Sequence, residues 1–421
     1  MTFPEHKLSI QLARTPMKII LVHNSYQQHG GEDVVFDQET ELLRRHGHQV
    51  VVYRRSNSEL DAYSGFRRVA LAKRAIWASD TRDEMARLIQ REKPELAHVH
   101  NTFLMISPSV YSACRDAGVP VVQTLHNYRL LCPEANLMRN EETCDQCVRG
   151  SLLHSVIHSC YRDSRPSTAV LALMLGVHRV RQTWARMVDC YIAPSEFAAQ
   201  KFVEGGLPAQ KLVVKPNFVH PDPGVRKDSG EYAVYVGRLS SEKGADTLLQ
   251  GWKHVRGRVP LLVIGDGPLR EKLSLEFQRD SRVTFCGQLP RAEVLGTLKR
   301  ARFLVVPSRC YETFAMVIAE AYACGVPVIA SRMGAMQELV AHGRTGLLFP
   351  PGDSEHLAES IDWAWSHPAD LKHMGDECRT EFELKYSAER NYQLLSAIYE
   401  RVTSRRALAA TARAGSPSIT H

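Results

Sequence analysis

The sequence predicts an α/β protein made of two doubly wound parallel-sheet domains. At 421 residues the chain is long enough for two domains of ordinary size. Short β-branched apolar runs alternate with amphipathic stretches, a pattern typical of parallel strands covered by helices. The segment 220–230 is rich in proline and glycine and lacks periodicity, so we expect it to link the domains.

Composition excludes several classes of protein. The chain carries 53 Lys and Arg against 46 Asp and Glu, a net charge of +7, which suits anionic ligands or anionic lipid but also many other globular proteins. No basic run carries interleaved aromatics, so no nucleic-acid partner is expected. The longest apolar run, 169–177, is far shorter than the ~20 residues of a transmembrane helix. Residues 1–16 resemble no secretion signal, and the start is either Met1 or Met17. We expect a cytoplasmic protein, with peripheral contact at most with the inner face of an anionic membrane.

The first domain is expected to cover residues 17–219. Its predicted strands are 17–23, 49–53, 94–100, 119–126 and 188–194, and its predicted helices are 34–46, 82–91, 178–186 and 196–204. Gly30 and Gly31 lie at the first strand-to-helix turn, where a ligand can approach the backbone and the helix N-terminus favours negative charge. A glycine pair also marks many ordinary tight turns. His126 follows a strand at its carboxyl end, where open α/β sheets bind ligands.

A cysteine-rich insertion is expected near 132–160 of this domain. It contains Cys132, Cys144, Cys147 and Cys160, with the middle pair at Cys-x2-Cys spacing. Four thiolates could close a tetrahedral structural zinc site and order a polar segment with little apolar content. Four reduced, unligated thiols or a redox pair are the alternatives. A catalytic zinc is not expected, because four cysteines leave no open position. The other six cysteines are scattered, and no disulfide framework is predicted.

The second domain is expected to cover residues 220–385. Its predicted strands are 232–237, 260–264, 282–287, 303–307, 326–330 and 345–352, and its predicted helices begin at 245, 314, 353 and 369. A further helix is predicted near 387–402, and the remaining tail, 404–421, is expected to be frayed.

Arg238 and Lys243 flank the loop after the first strand of this domain, which ends at Gly237. Two cations at the carboxyl end of a parallel strand form a receptor for a diphosphate, with Arg as a bidentate fork and Lys as a point charge. An ordinary surface ion pair is the alternative. Gly265 begins a Gly-x-Gly that lacks the third glycine of a dinucleotide-binding fingerprint and lies on the second strand unit, so that interpretation is rejected.

The stretch 309–331 is the most informative in the chain. It follows a buried strand, and Thr313 is predicted to cap a helix that begins at Phe314 and ends near Gly325. Glu312 precedes this helix and Glu320 lies inside it. Helix N–H groups suit a diphosphate and the carboxylates suit hydroxyl groups. A loop charge and a solvated helix face are the alternative.

The pattern Glu312-x7-Glu320, followed by Ala-x3-Gly-Val-Pro-Val-Ile-Ala-Ser, resembles the signature of the retaining glycosyltransferases of family 4, which have the GT-B fold. Further motifs of that family occur in the expected order over roughly residues 17–400. The resemblance implies two Rossmann-like domains, an acceptor-side one followed by a nucleotide-sugar-binding one. It also implies a crossover helix, 386–403, that returns to the first domain.

The resemblance also implies roles for individual residues. His126, Arg238, Lys243 and Glu312 would be catalytic, with His126 near the anomeric centre and the two cations on the diphosphate. Glu320 would bind the ribose hydroxyls and Glu312 the sugar hydroxyls. The remaining donor-binding positions implied are Gly30, Gly31, Asn217, Gly237, Gly265, Thr313 and Phe314.

The implied reaction moves a sugar from a nucleotide diphosphate sugar to a hydroxyl of a glycan or lipid-linked acceptor, with retention, in cell-surface polysaccharide or lipopolysaccharide synthesis. No Asp-x-Asp occurs in the chain, so no catalytic metal is expected and the two cations would take its place. A sugar-nucleotide epimerase and a non-catalytic nucleotide-sugar or lipid-binding scaffold are the alternative functions.

Overall fold

A computed structural model describes residues 15–27, 30–62 and 67–414 of the chain. The predicted tail 1–16 therefore lies outside the described residues except at its last two positions. The predicted α/β architecture is confirmed: two parallel sheets follow one another along the chain, and helices cover both faces of each.

The first domain contains a parallel sheet with the strand order β2-β1-β3-β4-β7-β8. Its apolar runs are buried on both faces; Ile19 and Val22 of β1 have no exposed surface. The strands of this half, including a small antiparallel hairpin (β5 and β6), are β1 (Lys18–Ser25), β2 (Gln49–Ser56), β3 (Leu96–Asn101), β4 (Val121–Thr124), β5 (Met138–Arg139), β6 (Glu142–Thr143), β7 (Cys190–Ala193) and β8 (Leu212–Val214).

The helices of the first half connect these strands or belong to the cysteine-rich insertion. They are α1 (Gly31–Arg45), α2 (Arg67–Ile76), α3 (Ser79–Glu92), α4 (Ser109–Asp116), α5 (Gln146–Arg149), α6 (Leu153–Ile157), α7 (Arg165–Val180), α8 (Thr183–Met187) and α9 (Glu196–Glu204). The predicted helix 178–186 is wrong as one element. Gln182 adopts a left-handed conformation, with φ of 52°, and this separates α7 from α8.

The second domain contains a parallel sheet with the strand order β11-β10-β9-β12-β13-β14. Its strands are β9 (Tyr232–Val236), β10 (Leu261–Ile264), β11 (Val283–Gly287), β12 (Ala301–Val306), β13 (Val328–Ser331) and β14 (Gly346–Phe349). Its helices are α10 (Ala245–His254), α11 (Arg270–Glu276), α12 (Arg291–Leu298), α13 (Met316–Ala323), α14 (Met336–Leu339), α15 (Ser354–Ser366) and α16 (Pro368–Glu381).

The last helix, α17 (Ala388–Ala414), returns from the second domain to the first. Leu395 and Tyr399 on it are fully buried in one apolar cluster with Ile19 and Leu21 of β1. The helix continues past the predicted end near residue 402, so the expectation of a frayed tail from residue 404 is wrong as far as Ala414. The rest of that tail lies outside the described residues.

The cysteine-rich insertion carries the hairpin β5–β6 and the short helices α5 and α6. Cys132 and Cys147 are buried, Cys144 and Cys160 are half-buried, and all are free thiols. They are near neighbours: burial raises the pKa of Cys160 to about 11, and the other three thiols contribute. Within the described chain, however, no three of them bring their Sγ atoms within 4.8 Å of one another. The zinc site therefore stays a prediction.

Candidate functional site

A cavity of about 460 Å³ lies between the two domains, at the carboxyl ends of their strands. The first domain contributes the loop after β4 and the start of the cysteine-rich insertion. The second contributes the loops after β9, β10 and β12. The residues that line the cavity are His126, Asn127, Tyr128, Glu134, Ala135, Asn136, Arg238, Ser240, Glu242, Lys243, Pro268, Cys310, Tyr311, Glu312 and Thr313.

An ion pair joins two of the predicted site residues in the wall of this cavity. Lys243 Nζ lies 2.5 Å from Glu312 Oε1, which also accepts a hydrogen bond of 3.0 Å from Ser308 Oγ. Gly244 allows the loop after β9 to lie close to the loop after β12, because Gly244 has a φ of 68° and a Cβ built there would lie 2.0 Å from Pro307 O. Burial opposes the charge of Lys243, but Glu312 outweighs it and the pKa of Lys243 is raised. The lysine therefore stays cationic, with 35% of its side chain exposed.

Arg238 lies in the same wall and is exposed. Its carbonyl accepts a hydrogen bond of 2.7 Å from Tyr235 Oη, which fixes the loop. Its guanidinium forms no hydrogen bond or ion pair with any residue that the structure describes. Two positive groups thus line the cavity, and the fork of Arg238 is available to an anion.

Thr313 connects the two domains instead of capping a helix. Its Oγ1 donates a hydrogen bond of 2.7 Å to the carbonyl of His126, and its own carbonyl accepts one of 2.8 Å from Ser195 Oγ. The predicted cap is therefore wrong. The helix α13 begins later, after Ala315, which offers no side-chain cap. Phe314 points away from the cavity wall into the apolar core, where its ring packs against Tyr386.

The ring of His126 is half-buried, and its backbone carbonyl is held by Thr313 across the cleft. His126 Nε2 lies 2.9 Å from His100 Nδ1 behind it. Burial, with the neighbouring histidines, holds the pKa of His126 well below its usual value. The ring is therefore neutral.

Other predicted donor-binding residues lie outside the lining of this cavity. Glu320 is bound by Arg291, with Nε 3.1 Å from its Oε1, and only 12% of its side chain is exposed. Burial raises the pKa of Glu320, and Arg291 opposes that shift. Asn217 is buried at the junction of the domains.

The predicted glycines serve close approaches of the chain. Gly265 has a φ of 135°, and a Cβ there would lie 1.9 Å from Gly237 O, so these two backbones lie against each other. Gly30 precedes α1, and its N–H donates to Asp33 Oδ2 at 2.9 Å. A Cβ on Gly31 would lie 3.9 Å from Met316 of α13, so the glycine loop faces the second domain.

Two carboxyl groups near the cavity were not among the predicted site residues. Glu134 lines the cavity; burial raises its pKa to about 7, and its Oε2 is buried without a hydrogen-bond partner among the described residues. Glu32, at the start of α1, accepts hydrogen bonds from Asn101 at 2.7 Å and Asn127 at 3.0 Å, and burial raises its pKa to about 8. Glu32 could have been identified from the sequence, because it lies in the first turn of the helix that follows the glycine pair.

Further contacts hold the domains together around the cavity. Both Glu338 oxygens accept hydrogen bonds from the backbone N–H groups of Glu196 and Phe197 at the start of α9. Arg309 of the second domain donates to Glu141 of the cysteine-rich hairpin, at 3.2 Å. The structure thus shows a cleft closed by direct contacts between the domains.

Comparison with known families agrees with this geometry. Residues 29–223 match a model described as Glycosyltransferase Family 4, and residues 230–367 match one described as Glycosyl transferases group 1. The chain belongs to the group 1 glycosyltransferases. Its fold is GT-B, with two parallel-sheet α/β domains.

Individual relatives of this glycosyltransferase are distant. It is 32% identical over 195 residues to an uncharacterized glycosyltransferase of Methanocaldococcus jannaschii, a match that covers 46% of the chain and 54% of that protein. It is 25% identical over 305 residues to the alpha-D-kanosaminyltransferase of Streptomyces kanamyceticus, covering 69% and 73%. The chain thus spans about half of the length of the first relative.

Among solved structures, the glycosyltransferase resembles Anabaena HepE in complex with UDP and glucose. The TM-score is 0.63 at 19% identity, and the match covers 90% of this chain and 98% of that one. Within the described residues, no helix is both long enough and apolar enough to cross a membrane.

Proposed function

We propose that this glycosyltransferase moves a sugar from a nucleotide diphosphate sugar to a hydroxyl of a glycan or lipid-linked acceptor, with retention of configuration. The observation that carries the proposal is the cavity between the domains, where Lys243 and Arg238 face His126 from the opposite domain. Two cations at the carboxyl end of β9 suit a diphosphate, and the other wall leaves room for the sugar and the acceptor.

The cations would act on the departing diphosphate. Breaking the anomeric C–O bond builds negative charge on the leaving group, and preorganised positive groups stabilise that charge in the transition state more than in the ground state. Arg238 would grip the diphosphate with its free fork. Lys243 is held by Glu312, so its position is set before the donor binds. The acceptor hydroxyl would attack from the face that the leaving group vacates, and its proton would pass to an oxygen of the departing diphosphate.

The remaining roles concern the sugar and the nucleoside. Glu312 would contact sugar hydroxyls through its second oxygen, and Glu320 the ribose hydroxyls in place of Arg291. The contacts across the cleft would open to admit the donor and close again to exclude water, which otherwise hydrolyses it. Because cations stand where a metal would neutralise the diphosphate, we expect transfer to persist in EDTA.

The relatives support the substrate class. The Streptomyces relative is named for the transfer of a sugar, and the HepE structure holds UDP and glucose. We therefore expect a UDP-sugar donor and a role in cell-surface polysaccharide or lipopolysaccharide synthesis. The cytoplasmic location and contact with an anionic membrane stay predictions.

The test is a thermal-shift panel of UDP-, GDP- and ADP-sugars, followed by product analysis with the donor that stabilises the protein most. Release of the nucleoside diphosphate with a glycosylated acceptor of unchanged anomeric configuration supports the proposal. A new epimer of the donor without acceptor supports the epimerase instead. Binding without turnover for any acceptor supports a scaffold.

A structural zinc in the cysteine-rich insertion is a separate proposal. Four near-neighbour thiols beside a hairpin suit that metal, and Glu141 of the hairpin contacts the second domain, so the metal would order a segment at the cleft. Metal analysis of the purified protein should give one zinc per chain, and the Cys144→Ser/Cys147→Ser variant should contain none. Absence of zinc from wild-type protein purified without chelators would leave reduced thiols as the alternative.

A further inference from the structure

A chain of buried titratable groups lies behind His126, and the proposed transfer step uses none of them. Glu39 of α1 and His98 of β3 have no exposed surface. Lys215, which follows β8, is 1% exposed, and His100 of β3 is 3% exposed. Buried charges are costly unless each has a partner, so the pairing within this group determines what it can do.

The contacts form a line from the interior to the cavity. Lys215 Nζ donates to Glu39 Oε1 at 2.7 Å. Glu39 Oε2 lies 3.2 Å from His100 Nε2. Both atoms are buried and neither forms a hydrogen bond with the described residues in this geometry, so the 3.2 Å contact places two unsatisfied polar groups against each other. On its other side, His100 Nδ1 lies 2.9 Å from His126 Nε2.

The ligand atoms of Glu39, His98 and His100 also lie within 4.8 Å of one another, which raises the question of a metal. Two contacts argue against it. Lys215 already supplies the positive charge beside Glu39. Both ring nitrogens of His98 are in use, Nδ1 at 2.7 Å from Tyr399 Oη and Nε2 at 2.8 Å from Thr124 Oγ1. The cluster is therefore a hydrogen-bonded ion pair.

The charge of Glu39 determines where the protons lie. Burial opposes its ionisation, but Lys215 and the histidines hold its pKa well below the usual range, so the carboxylate only accepts hydrogen bonds. Burial lowers the pKa of His100 to about 3, so its neutral ring carries one proton. That proton must be on Nε2, facing Glu39. His100 Nδ1 is then an acceptor, and His126 must donate to it from Nε2.

The remaining nitrogen of His126 follows from this order. A neutral ring with its proton on Nε2 has a bare lone pair on Nδ1. His126 Nδ1 has no hydrogen bond to the described residues and is not a buried atom, and His126 lines the cavity. We propose that Glu39, acting through His100, fixes His126 in the tautomer that turns a bare Nδ1 to the cavity, where it accepts a hydrogen bond from a hydroxyl of the bound sugar. The sugar contact rests on the proposed function; the tautomer does not.

Glu39 and His100 are therefore positioning residues. Without them, the His126 ring could carry its proton on either nitrogen, and Nδ1 would no longer be held as an acceptor. Through Glu39 and His100, the same line of contacts connects the tautomer of His126 to Lys215, which follows β8 beside the junction between the domains.

Nitrogen-15 NMR of histidine-labelled enzyme tests the tautomer directly, with the His126→Asn spectrum used for assignment. In the wild type, His126 Nδ1 should give an unprotonated signal and Nε2 a protonated one. The variant Glu39→Gln/Lys215→Met removes both charges of the pair together, so no unpaired ion is left buried. The amide that replaces the Glu39 carboxylate can donate as well as accept, so the tautomer is no longer fixed and the His126 Nδ1 signal should move toward the protonated position. Tyr399→Phe removes another hydrogen bond of the same cluster but not of the line, and should leave both signals unchanged.

A protonated His126 Nδ1 in the wild type overturns the proposal, whether or not the variants fold. An unchanged spectrum in a folded Glu39→Gln/Lys215→Met variant overturns the role of Glu39.

The sugar contact has its own readout. Fluorine accepts hydrogen bonds weakly and cannot donate them. A nucleotide sugar with fluorine in place of the contacted hydroxyl should therefore show about tenfold lower kcat/KM with the wild-type enzyme. That loss should shrink in the Glu39→Gln/Lys215→Met variant. A bare Nδ1 with no fluorine effect at any sugar position overturns the sugar contact. Failure of the transferase assignment would instead show as no transfer with any unmodified donor.

Discussion

Replacement of Lys243 by Met tests the centre of the proposed site. A unit charge about 4 Å from the diphosphate is worth about 4 kcal/mol at an effective dielectric constant of ~20. Loss of one preorganised group of this kind costs about 2.7–4 kcal/mol, or roughly 10²–10³ in kcat. Stability should change little, because Glu312 keeps its hydrogen bond from Ser308 Oγ and partly exposed pairs contribute only about 0–1 kcal/mol.

The chain offers a matched control for this variant. Lys253 and Glu276 form an ion pair of the same length, 2.5 Å, on the surface of the same domain and outside the cavity lining. Lys253→Met makes the same chemical change and should retain full activity. Both variants are compared by steady-state release of the nucleoside diphosphate and by thermal melting. A folded Lys243→Met enzyme with kcat within threefold of the wild type would refute the assignment of Lys243 to the leaving group.

Further predictions concern Glu320, Glu134 and Glu338. Glu320→Gln should weaken donor binding by about tenfold or more in KM, because a carboxylate can accept from two ribose hydroxyls; if Arg291→Gln has the same effect, Glu320 serves only the ion pair. In the folded protein the pKa of Glu134 is raised from 4.5 to about 7, so the unfolded chain releases this proton at a lower pH. The free energy of unfolding of the wild type should therefore fall by about 1–3 kcal/mol as the pH rises from 4.5 to 7. Melting at pH 5 and pH 8 should show a smaller fall for Glu134→Gln, and equal falls would contradict the raised pKa. Glu338→Gln removes the charge that caps α9 across the cleft. The closed cleft should then open more readily and the donor KM should rise; an unchanged KM would contradict a role of this contact in closure.

The sequence was sufficient for the elements with a strong local signal. β1 and β12 each contain an uninterrupted apolar run, 19–22 and 303–306, and α9 covers the predicted helix 196–204, with Ser195 as its side-chain cap. Arg238, Lys243 and Glu312 were found from their places at the ends of strands, because the carboxyl ends of parallel strands meet at one edge of a sheet. The three residues line one cavity, and their binding of a diphosphate sugar stays a prediction.

Contacts between distant parts of the chain were harder to predict from the sequence. Thr313 had the local chemistry of a helix cap, but an acceptor on the other domain competes for its hydroxyl, and α13 starts later. Glu39 looked like one acidic residue among several in α1, although it lies at helical spacing with buried Phe36 and Leu43. A charge on the apolar face of a helix was the available signal. Its partner, Lys215, is 176 residues away and could not be named from spacing.

The return of α17 to the first domain affects how the protein is made. The ribosome finishes residues 15–214, with all the strands of the first sheet, long before it synthesises Tyr392, Leu395, Ile398, Tyr399 and Val402, which complete the apolar cluster under that sheet. Burial of five such side chains contributes about 8–15 kcal/mol, comparable with the whole stability of an ordinary domain. The nascent amino-terminal half therefore exposes an apolar surface until the last helix is synthesised. A fragment that ends at the interdomain linker should need chaperones or aggregate, whereas co-expression with a peptide of residues 388–414 should rescue it.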